Sequence, residues 1–453
     1  MSFYTLKPNE TIILPQKANN PAITDLLKNY SCGIKWDFEF CDNENEIIIG
    51  DANAPVTGNS EYAINVTEKG AYICGKGYKA TIRGLMTLLE RIFCYGKQEY
   101  KIKCGTISEN AKIGFRSVHL CCFPEYSIEK LRKAIRVCGI SKYTHVILET
   151  WGSIKLDTLK ELSWPQGHSK EEIRELVAEA NALGMDVVPF FQHLGHASLQ
   201  RLGYAGKHVV LDQNPELEYL YYPESYGWVW NFKSEEVREM LKSVREELME
   251  LFGESEYFHL GCDESGMEFN AKEISDYLNE VNAHLKSKGR RGIIWGDMLL
   301  SHAFFEDEHY ECNSTADYAN SLLENLDKDI VVADWQYNIK SDSWESSKLI
   351  REKGFFVICC PWQDNENMNS AVNTAYEDGH FGVMKTTWDN LLKRGGVASI
   401  MYFGLASFGD SSLKKQQNTY YSVTERAHAA FRKTSPQILS YEESGWHKNN
   451  VEI

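Results

Sequence analysis

The chain has 453 residues, 43% of them hydrophobic and 25% charged, which allows two or three folded domains of ordinary composition. A net charge of −16 excludes the basic footprint of a general nucleic-acid or anionic-membrane binder. No run approaches the roughly 18 consecutive apolar residues of a membrane span.

Aromatics reach 12%, with 11 Trp and 24 Tyr, an excess that suits either flat-faced ligands such as sugars or an aromatic core. The opening MSFYTLKPNETIILPQ lacks the basic and continuous apolar regions of a secretory leader. The 12 cysteines form no C-x-x-C pair, and Cys121–Cys122 and Cys359–Cys360 sit at the ends of apolar runs. They read as reduced, buried thiols rather than a disulfide framework or zinc site. The expectation is a cytoplasmic protein with no metal, no other cofactor, and no nucleic-acid or membrane partner.

Along the chain, EIIIGDA (46–52), EYAINVTE (61–68) and GAYICGK (70–76) read as strands. KATIRGLMTLLERIF (79–93) follows with apolar residues at helical spacing, and a further strand-like pair lies near 100–107. Residues 1–107 are therefore expected to form a small α+β domain. From Ile113 onward, apolar strand runs alternate with amphipathic helices. The runs are GFRSVHL (114–120), HVILE (145–149), DVVPFF (186–191), YFHL (257–260), GIIW (292–295), IVVADW (330–335), FFVICC (355–360) and FGVMKTTW (381–388). Among the helices, SKEEIRELVAEANALG opens on a capping box, Ser169 with Glu172. SEEVREMLKSVREELMELFG carries Glu235 and Glu236 in its first turn, favourable to the helix dipole. Eight strands over about 275 residues fit an α/β fold of the (β/α)8 barrel type better than an open doubly wound sheet. No Gly-rich phosphate fingerprint follows the first strand. The barrel is expected over 108–414 and a helical extension over 415–453.

Such a barrel brings the C-terminal ends of its strands to one mouth. The residues expected there are Arg116, Glu149 with Trp151, Gln192 with His193 and His196, and Asp263 with Glu264. The later strands add Trp295 with Asp297, Trp335 with Tyr337, Trp362 with Asp364, and Trp388 with Asp389. Tryptophan recurs at five of the eight strand ends, a regularity that a sugar-sized site calls for and core packing does not.

The segment YFHLGCDESG (257–266) ends its apolar run in two adjacent carboxylates, Asp263 and Glu264. Glycoside hydrolysis commonly uses two carboxyl groups on opposite sides of the bond, which adjacent residues cannot supply. A substrate that brings its own nucleophile, a 2-acetamido oxygen, removes the difficulty. One carboxyl then protonates the leaving oxygen and its neighbour orients the acetamide. The proximity of like charges would raise one pKa, as a general acid requires.

HLGCDE resembles the H-x-G-G-D-E signature of glycoside hydrolase family 20, the β-N-acetylhexosaminidases. GFRSVHL resembles that family's first barrel strand, DVVPFFQHLGHA its third strand with the following G-H-A, and EYAINVTEKGAYICGKGYKATIRGLMTLLERIF its small α+β domain. The resemblance implies retaining, substrate-assisted removal of terminal GlcNAc or GalNAc from an oligosaccharide or smaller glycoside. It implies Glu264 as general acid/base and Asp263 as the acetamide-orienting residue. Arg116 would grip sugar hydroxyls, and Trp295, Trp335 and Trp388 would wall the pocket. Tyr337, or the PWQD segment with Trp362 and Asp364, would meet the acetamide carbonyl; His196 would lie near the acid. The sequence departs from the family at Cys262, where a second Gly is usual. LETWG (148–152) stands in place of H-x-x-D, leaving Glu149 and Trp151 as stand-ins.

Blander roles stand beside these. Asp263–Glu264 could open a helix, Arg116 could pair with a carboxylate, and Asp334 and Asp364 could cap loops. His193 and His196 could suggest a metal pair, although no helix or further ligand supports it. Two rival functions remain: a retaining glycosidase using the separated carboxylates Glu149 and Glu264, and a catalytically silent sugar-binding barrel.

Overall fold

The computed structural model describes residues 2–31, 33–52, 60–95, 99–123, 126–197, 214–225, 227–267, 269–388, 396–410, 413 and 419–434. The N-terminal unit is built on a six-stranded sheet in the order Lys35–Cys41, Asn9–Pro15, Glu46–Gly50, Gly70–Gly75, Tyr62–Thr67 and Gly105–Glu109. Its strands alternate, burying Ile12, Leu14, Ile47, Ile49, Ile64 and Ile73 against the helices Pro21–Tyr30 and Tyr78–Leu89. Those two helices also contact the barrel's own helices, and Tyr78 OH donates to Ala182 O at 2.6 Å. The expected small α+β domain is present, with three strands (Phe3–Thr5, Asn9–Pro15 and Lys35–Cys41) and an α-helix before residue 46 that the sequence reading did not name. Its last strand, Gly105–Glu109, carries the sheet past the boundary expected at 107.

All eight expected barrel strands form, as Phe115–Cys121, His145–Glu149, Asp186–Phe190, Tyr257–His259, Arg291–Trp295, Val331–Trp335, Phe356–Cys360 and Gly382–Thr386. They pair in parallel and in sequence order, and the last closes on the first through Phe115↔Gly382. The interior is filled by Phe115, Ile147, Val188, Phe190, Tyr257, Ile293, Val331, Ile358 and Met384, so the lower barrel is solid core. Trp295 lies at the top of that core and forms the floor of the mouth.

Helix starts follow local chemistry. Lys170–Ala182 has the capping box expected of Ser169 and Glu172, and Ala271–Ser287 has a second one from Asn270 and Glu273. Glu235–Phe252 starts at Ser234 without a side-chain cap, leaving Glu235 and Glu236 to complement its dipole. Of the C-terminal extension, Thr419–Lys433 is helical and packs on the helices Gly396–Phe408 and Ile128–Ile140. Residues 435–453 lie outside the described residues.

Barrel closure makes a specific demand on Gly382. A Cβ there would meet Phe115 O at 2.5 Å and Phe115 Cβ at 2.7 Å. Gly382→Ala should cost about 1–3 kcal/mol in a denaturation experiment. Gly114→Ala, where nothing lies within 4 Å, should stay within about 0.5 kcal/mol.

Candidate active site

After the fourth strand the chain turns sharply. Gly261, Cys262 and Glu264 have φ of 71°, 76° and 45°. Six described non-glycine residues have positive φ, and five of them, Trp151, His196, Cys262, Glu264 and Trp388, follow barrel strands at the mouth. Such conformations persist only where the surroundings impose them. At Gly261 the constraint is visible: an added Cβ would lie 1.8 Å from Gln192 Oε1, so glycine admits the Gln192 side chain. Cys262 holds the left-handed position without being glycine. Its N–H donates to Gln192 Oε1 at 3.3 Å and its Sγ donates to Leu260 O at 3.3 Å. The thiol is buried in an apolar pocket with Leu194, Ile274, Leu278, Ile294 and Met298. Gln192 and this pocket thus account for a side chain at that position.

The turn gives its two carboxylates unlike surroundings. The Asp263 side chain is 6% exposed and accepts from Gln192 Nε2 at 3.3 Å; that of Glu264 is 46% exposed. His196 Nε2 lies between them, 3.3 Å from Asp263 Oδ2 and 3.2 Å from Glu264 Oε2. Burial opposes protonation of His196, but the two carboxylates outweigh it and push the ring up to about 10. A third carboxylate, Asp297, lies buried beneath. Its Oδ2 accepts from Glu264 N at 2.9 Å and Asn313 Nδ2 at 2.8 Å, and its Oδ1 accepts from Trp335 Nε1 at 3.2 Å. Burial, and then the Asp263 charge, push Asp297 up to about 7 against those donors.

An aromatic wall faces this cluster. Trp335 packs on Tyr337 at 5.1 Å, Tyr337 on Trp362 at 5.4 Å, and Trp295 on Trp388 at 5.9 Å between ring centroids. Trp388 Nε1 donates to the Tyr337 hydroxyl at 2.9 Å, which closes the series. Burial pushes the Tyr337 phenol well up, so it keeps its proton and can donate. Lys385 secures the wall from behind, with Nζ donating to Trp362 O at 2.5 Å and Thr386 O at 2.8 Å.

Beneath the wall, His119 Nε2 and Glu149 Oε2 are 2.9 Å apart, both fully buried, and Gln192 Nε2 donates to Glu149 Oε1 at 3.3 Å. Among the described residues, His119, Cys121 and Glu149 are the grouping whose ligand-type atoms fall within 4.8 Å of one another. Their mutual hydrogen bonds, with Cys121 Sγ 3.7 Å from Glu149 Oε2, make them a polar floor. His259 stacks on Phe190 at 4.1 Å, and its Nδ1 accepts from Gly261 N at 3.1 Å. Burial, and then His119, push it well below the ordinary range, so it is a neutral support.

The structure brings together Asp263, Glu264, Glu149, His196, Trp295, Trp335, Tyr337, Trp362 and Trp388. It moves Arg116 elsewhere. Arg116 is the second residue of its strand, at the end opposite the mouth, and its guanidinium donates to the carbonyls of Ile113, Gly114 and Lys142. The expectation that it grips the sugar is corrected: the strand's direction carries it away. Asp364 is also reassigned, since its Oδ1 caps the helix Asn365–Glu377 through Glu366 N and Asn367 N. Asp334 is buried and taken up by Ser346, Ser347 and Gln336. Trp151 stacks on Phe123 at 5.6 Å, and His193 Nδ1 is turned to Phe191 O at 2.7 Å, so the histidine pair does not converge on a metal. Asp389 lies outside the described residues.

Three site residues carried no assigned role in the sequence reading. Gln192 and Asp297 were expected at the mouth but looked like any polar strand-end residue. Trp228 lies on the long third loop, and its Nε1 donates to Glu264 O at 2.8 Å. No local motif marks it.

Residues 139–404, more than half of the chain, match the model of glycosyl hydrolase family 20, catalytic domain. The chain belongs to glycosyl hydrolase family 20. It is 26% identical over 259 residues to a beta-hexosaminidase of Akkermansia muciniphila, covering 49% of this chain and 48% of that protein. It is 24% identical over 333 residues to beta-hexosaminidase A of Caenorhabditis briggsae, covering 67% of this chain and 56% of that one. The chain thus spans about half the length of the curated relatives it matches. In fold it is similar to a family 20 exo-β-N-acetylglucosaminidase of Vibrio harveyi solved with N-acetylglucosamine. That likeness has a TM-score of 0.69 at 15% identity and covers 96% of this chain and 75% of that one. The Streptomyces coelicolor family 20 β-N-acetylhexosaminidase gives 0.66 at 15% identity, over 97% and 96% of the two chains.

Within this family 20 site, Gly261 and His196 can be tested separately. Gly261→Ala should displace Gln192 and with it Asp263, lowering kcat/KM about 100-fold. Gly253→Ala, at φ 67° and ψ −141° but in open space, should lose about 1–3 kcal/mol of stability with activity retained. His196, raised from 6.5 to about 10, stabilises the fold fully below pH 6.5 and loses that contribution as pH rises through about 10. The melting-temperature gap between wild type and His196→Gln should therefore be widest near pH 6 and narrow steadily toward pH 10.

Proposed function

We propose that this chain is an exo-acting β-N-acetylhexosaminidase that removes terminal GlcNAc or GalNAc with retention, using the substrate's acetamide as nucleophile. The observation that carries this reading is the contrast between its adjacent carboxylates. Asp263 is buried and held by Gln192 and His196, while Glu264 is open to the mouth. The acetamide oxygen attacks the anomeric carbon as the bond to the leaving oxygen breaks, and Glu264 gives that oxygen its proton. Asp263 accepts from the acetamide N–H and balances the positive charge of the oxazolinium ring. Tyr337 donates to the acetamide oxygen, and the tryptophans pack around the acetamide and the sugar. Water then attacks the anomeric carbon from the side the leaving group vacated and loses a proton to Glu264, giving net retention. The hexosaminidase relatives support this reading.

A nucleophilic Glu149 is disfavoured, because it is fully buried and both its oxygens are engaged by His119 and Gln192. We also propose a reducing, cytoplasmic setting, supported by buried free thiols at Cys121, Cys122, Cys359 and Cys360. No described helix is long and apolar enough to cross a membrane.

The test is hydrolysis of chromogenic β-GlcNAc, β-GalNAc and 2-hydroxy β-glucosides by wild type and Glu264→Gln. The wild type should cleave an acetamido glycoside and leave the 2-hydroxy analogue intact. Glu264→Gln should lose about 10²–10⁴-fold in rate. Equal turnover by the two proteins would remove Glu264 from the chemistry, and equal turnover of the two glycoside classes would remove the acetamide.

A further inference from the structure

His119, Cys121 and Glu149 are brought together by strand geometry alone. Side chains two apart on a strand share a face, so His119 and Cys121 lie on the inner face that begins with Phe115. The parallel register then sets Cys121 opposite Glu149 on the next strand. All three side chains are fully buried, and none of them depends on a loop for its position.

Hydrogen bonding accounts for only part of this arrangement. His119 Nε2 is 2.9 Å from Glu149 Oε2, but Cys121 Sγ stands 3.7 Å from that oxygen and 3.9 Å from that nitrogen. His119 Nδ1 makes no hydrogen bond, so the ring directs its polar contacts to this cluster. An imidazole nitrogen, a thiolate and a carboxylate oxygen are the donors that zinc takes, with bonds of about 2.0–2.3 Å. At tetrahedral angles such bonds put the donor atoms about 3.3–3.6 Å apart. The observed edges of 2.9, 3.7 and 3.9 Å bracket that spacing. Charge balances as well: a thiolate and a carboxylate together neutralise a divalent cation, as a fully buried site requires.

The surroundings hold the donors in place. Glu149 Oε1 accepts from Gln192 Nε2 at 3.3 Å, which leaves Oε2 to the cluster. Around the His119 ring stand Trp388, Phe190 and Trp295, at 4.9, 5.5 and 5.8 Å between centroids. Such an apolar shell limits water and strengthens binding to the donors within it.

We propose that His119 Nε2, Cys121 Sγ and Glu149 Oε2 form a zinc site in the floor of the barrel. Binding replaces their mutual hydrogen bonds and releases the thiol proton to solvent, with no change of oxidation state. Gln192 Nε2 also donates to Asp263 Oδ1 at 3.3 Å, so the ion steadies the floor on which Asp263 rests. The site goes beyond the hexosaminidase reading and does not rest on it.

The test uses the full chain, stripped with a chelator and titrated with Zn²⁺ alone or with Co²⁺ as a spectroscopic probe. Wild type should take one zinc per chain, and its cobalt form should show the near-ultraviolet absorption of a thiolate–cobalt bond. Cys121→Ser and His119→Gln should each weaken zinc binding at least about 100-fold, and Cys121→Ser should abolish that absorption. Cys122 is equally buried but turned to Ser153, so Cys122→Ser should keep both. Each variant is qualified by a wild-type circular dichroism spectrum. Glu149→Gln, which keeps the side chain's shape, replaces any that unfolds and should weaken zinc as far. A wild type that binds no zinc, or equal binding by wild type and the folded ligand variants, overturns the site.

Discussion

The mouth of this barrel depends on one cation held between two neighbouring carboxylates. His196 Nε2 stands 3.3 Å from Asp263 and 3.2 Å from Glu264, and Asp297 lies just beneath with its charge partly suppressed. Without that imidazolium, buried Asp263 and half-exposed Glu264 would face each other with no counter-charge between them, and the buried member would be the less screened. The fold supplies the cation from the loop after the third strand and the carboxylates from the turn after the fourth. The two loops therefore hold each other in place. The positive φ values at His196, Cys262 and Glu264 are the local cost of that arrangement.

Adjacency in sequence becomes difference in space through the same turn. Asp263 points to Gln192 and the polar floor, while the Glu264 backbone is gripped from both sides, its N–H by Asp297 and its carbonyl by Trp228. Holding Glu264 by its backbone leaves its side chain free at the mouth, as the proposed proton donor requires. Trp335 shares Asp297 with Glu264, so the acid and the aromatic wall are placed by one buried group.

Much of this was legible in the sequence because it depends on local pattern. Apolar runs of strand length alternating with amphipathic helices marked all eight barrel strands, and tryptophan at strand ends marked the wall. What failed were questions of direction and of long-range contact. Arg116 stands two residues into its strand, and assigning it to the mouth ignored that the strand runs on for five residues beyond it, to Cys121. Asp364 looked like a sugar ligand, but its position just before a helix gave its oxygen to backbone N–H groups. Trp228, Asp297 and Gln192 matter through partners 36, 33 and 71 residues away, which no window of sequence displays. The cysteine at 262 became intelligible only with the apolar pocket that receives its thiol.

The central claim is that the substrate supplies the nucleophile and Asp263 orients it. It is tested most directly by inhibition with a GlcNAc-derived thiazoline, which carries the closed ring of the expected intermediate. The account predicts competitive binding at least about 100-fold tighter than GlcNAc itself, as for analogues of a reactive state. That advantage should be largely lost in Asp263→Asn. A thiazoline that binds no tighter than GlcNAc to a wild-type protein that still cleaves β-GlcNAc glycosides would contradict it.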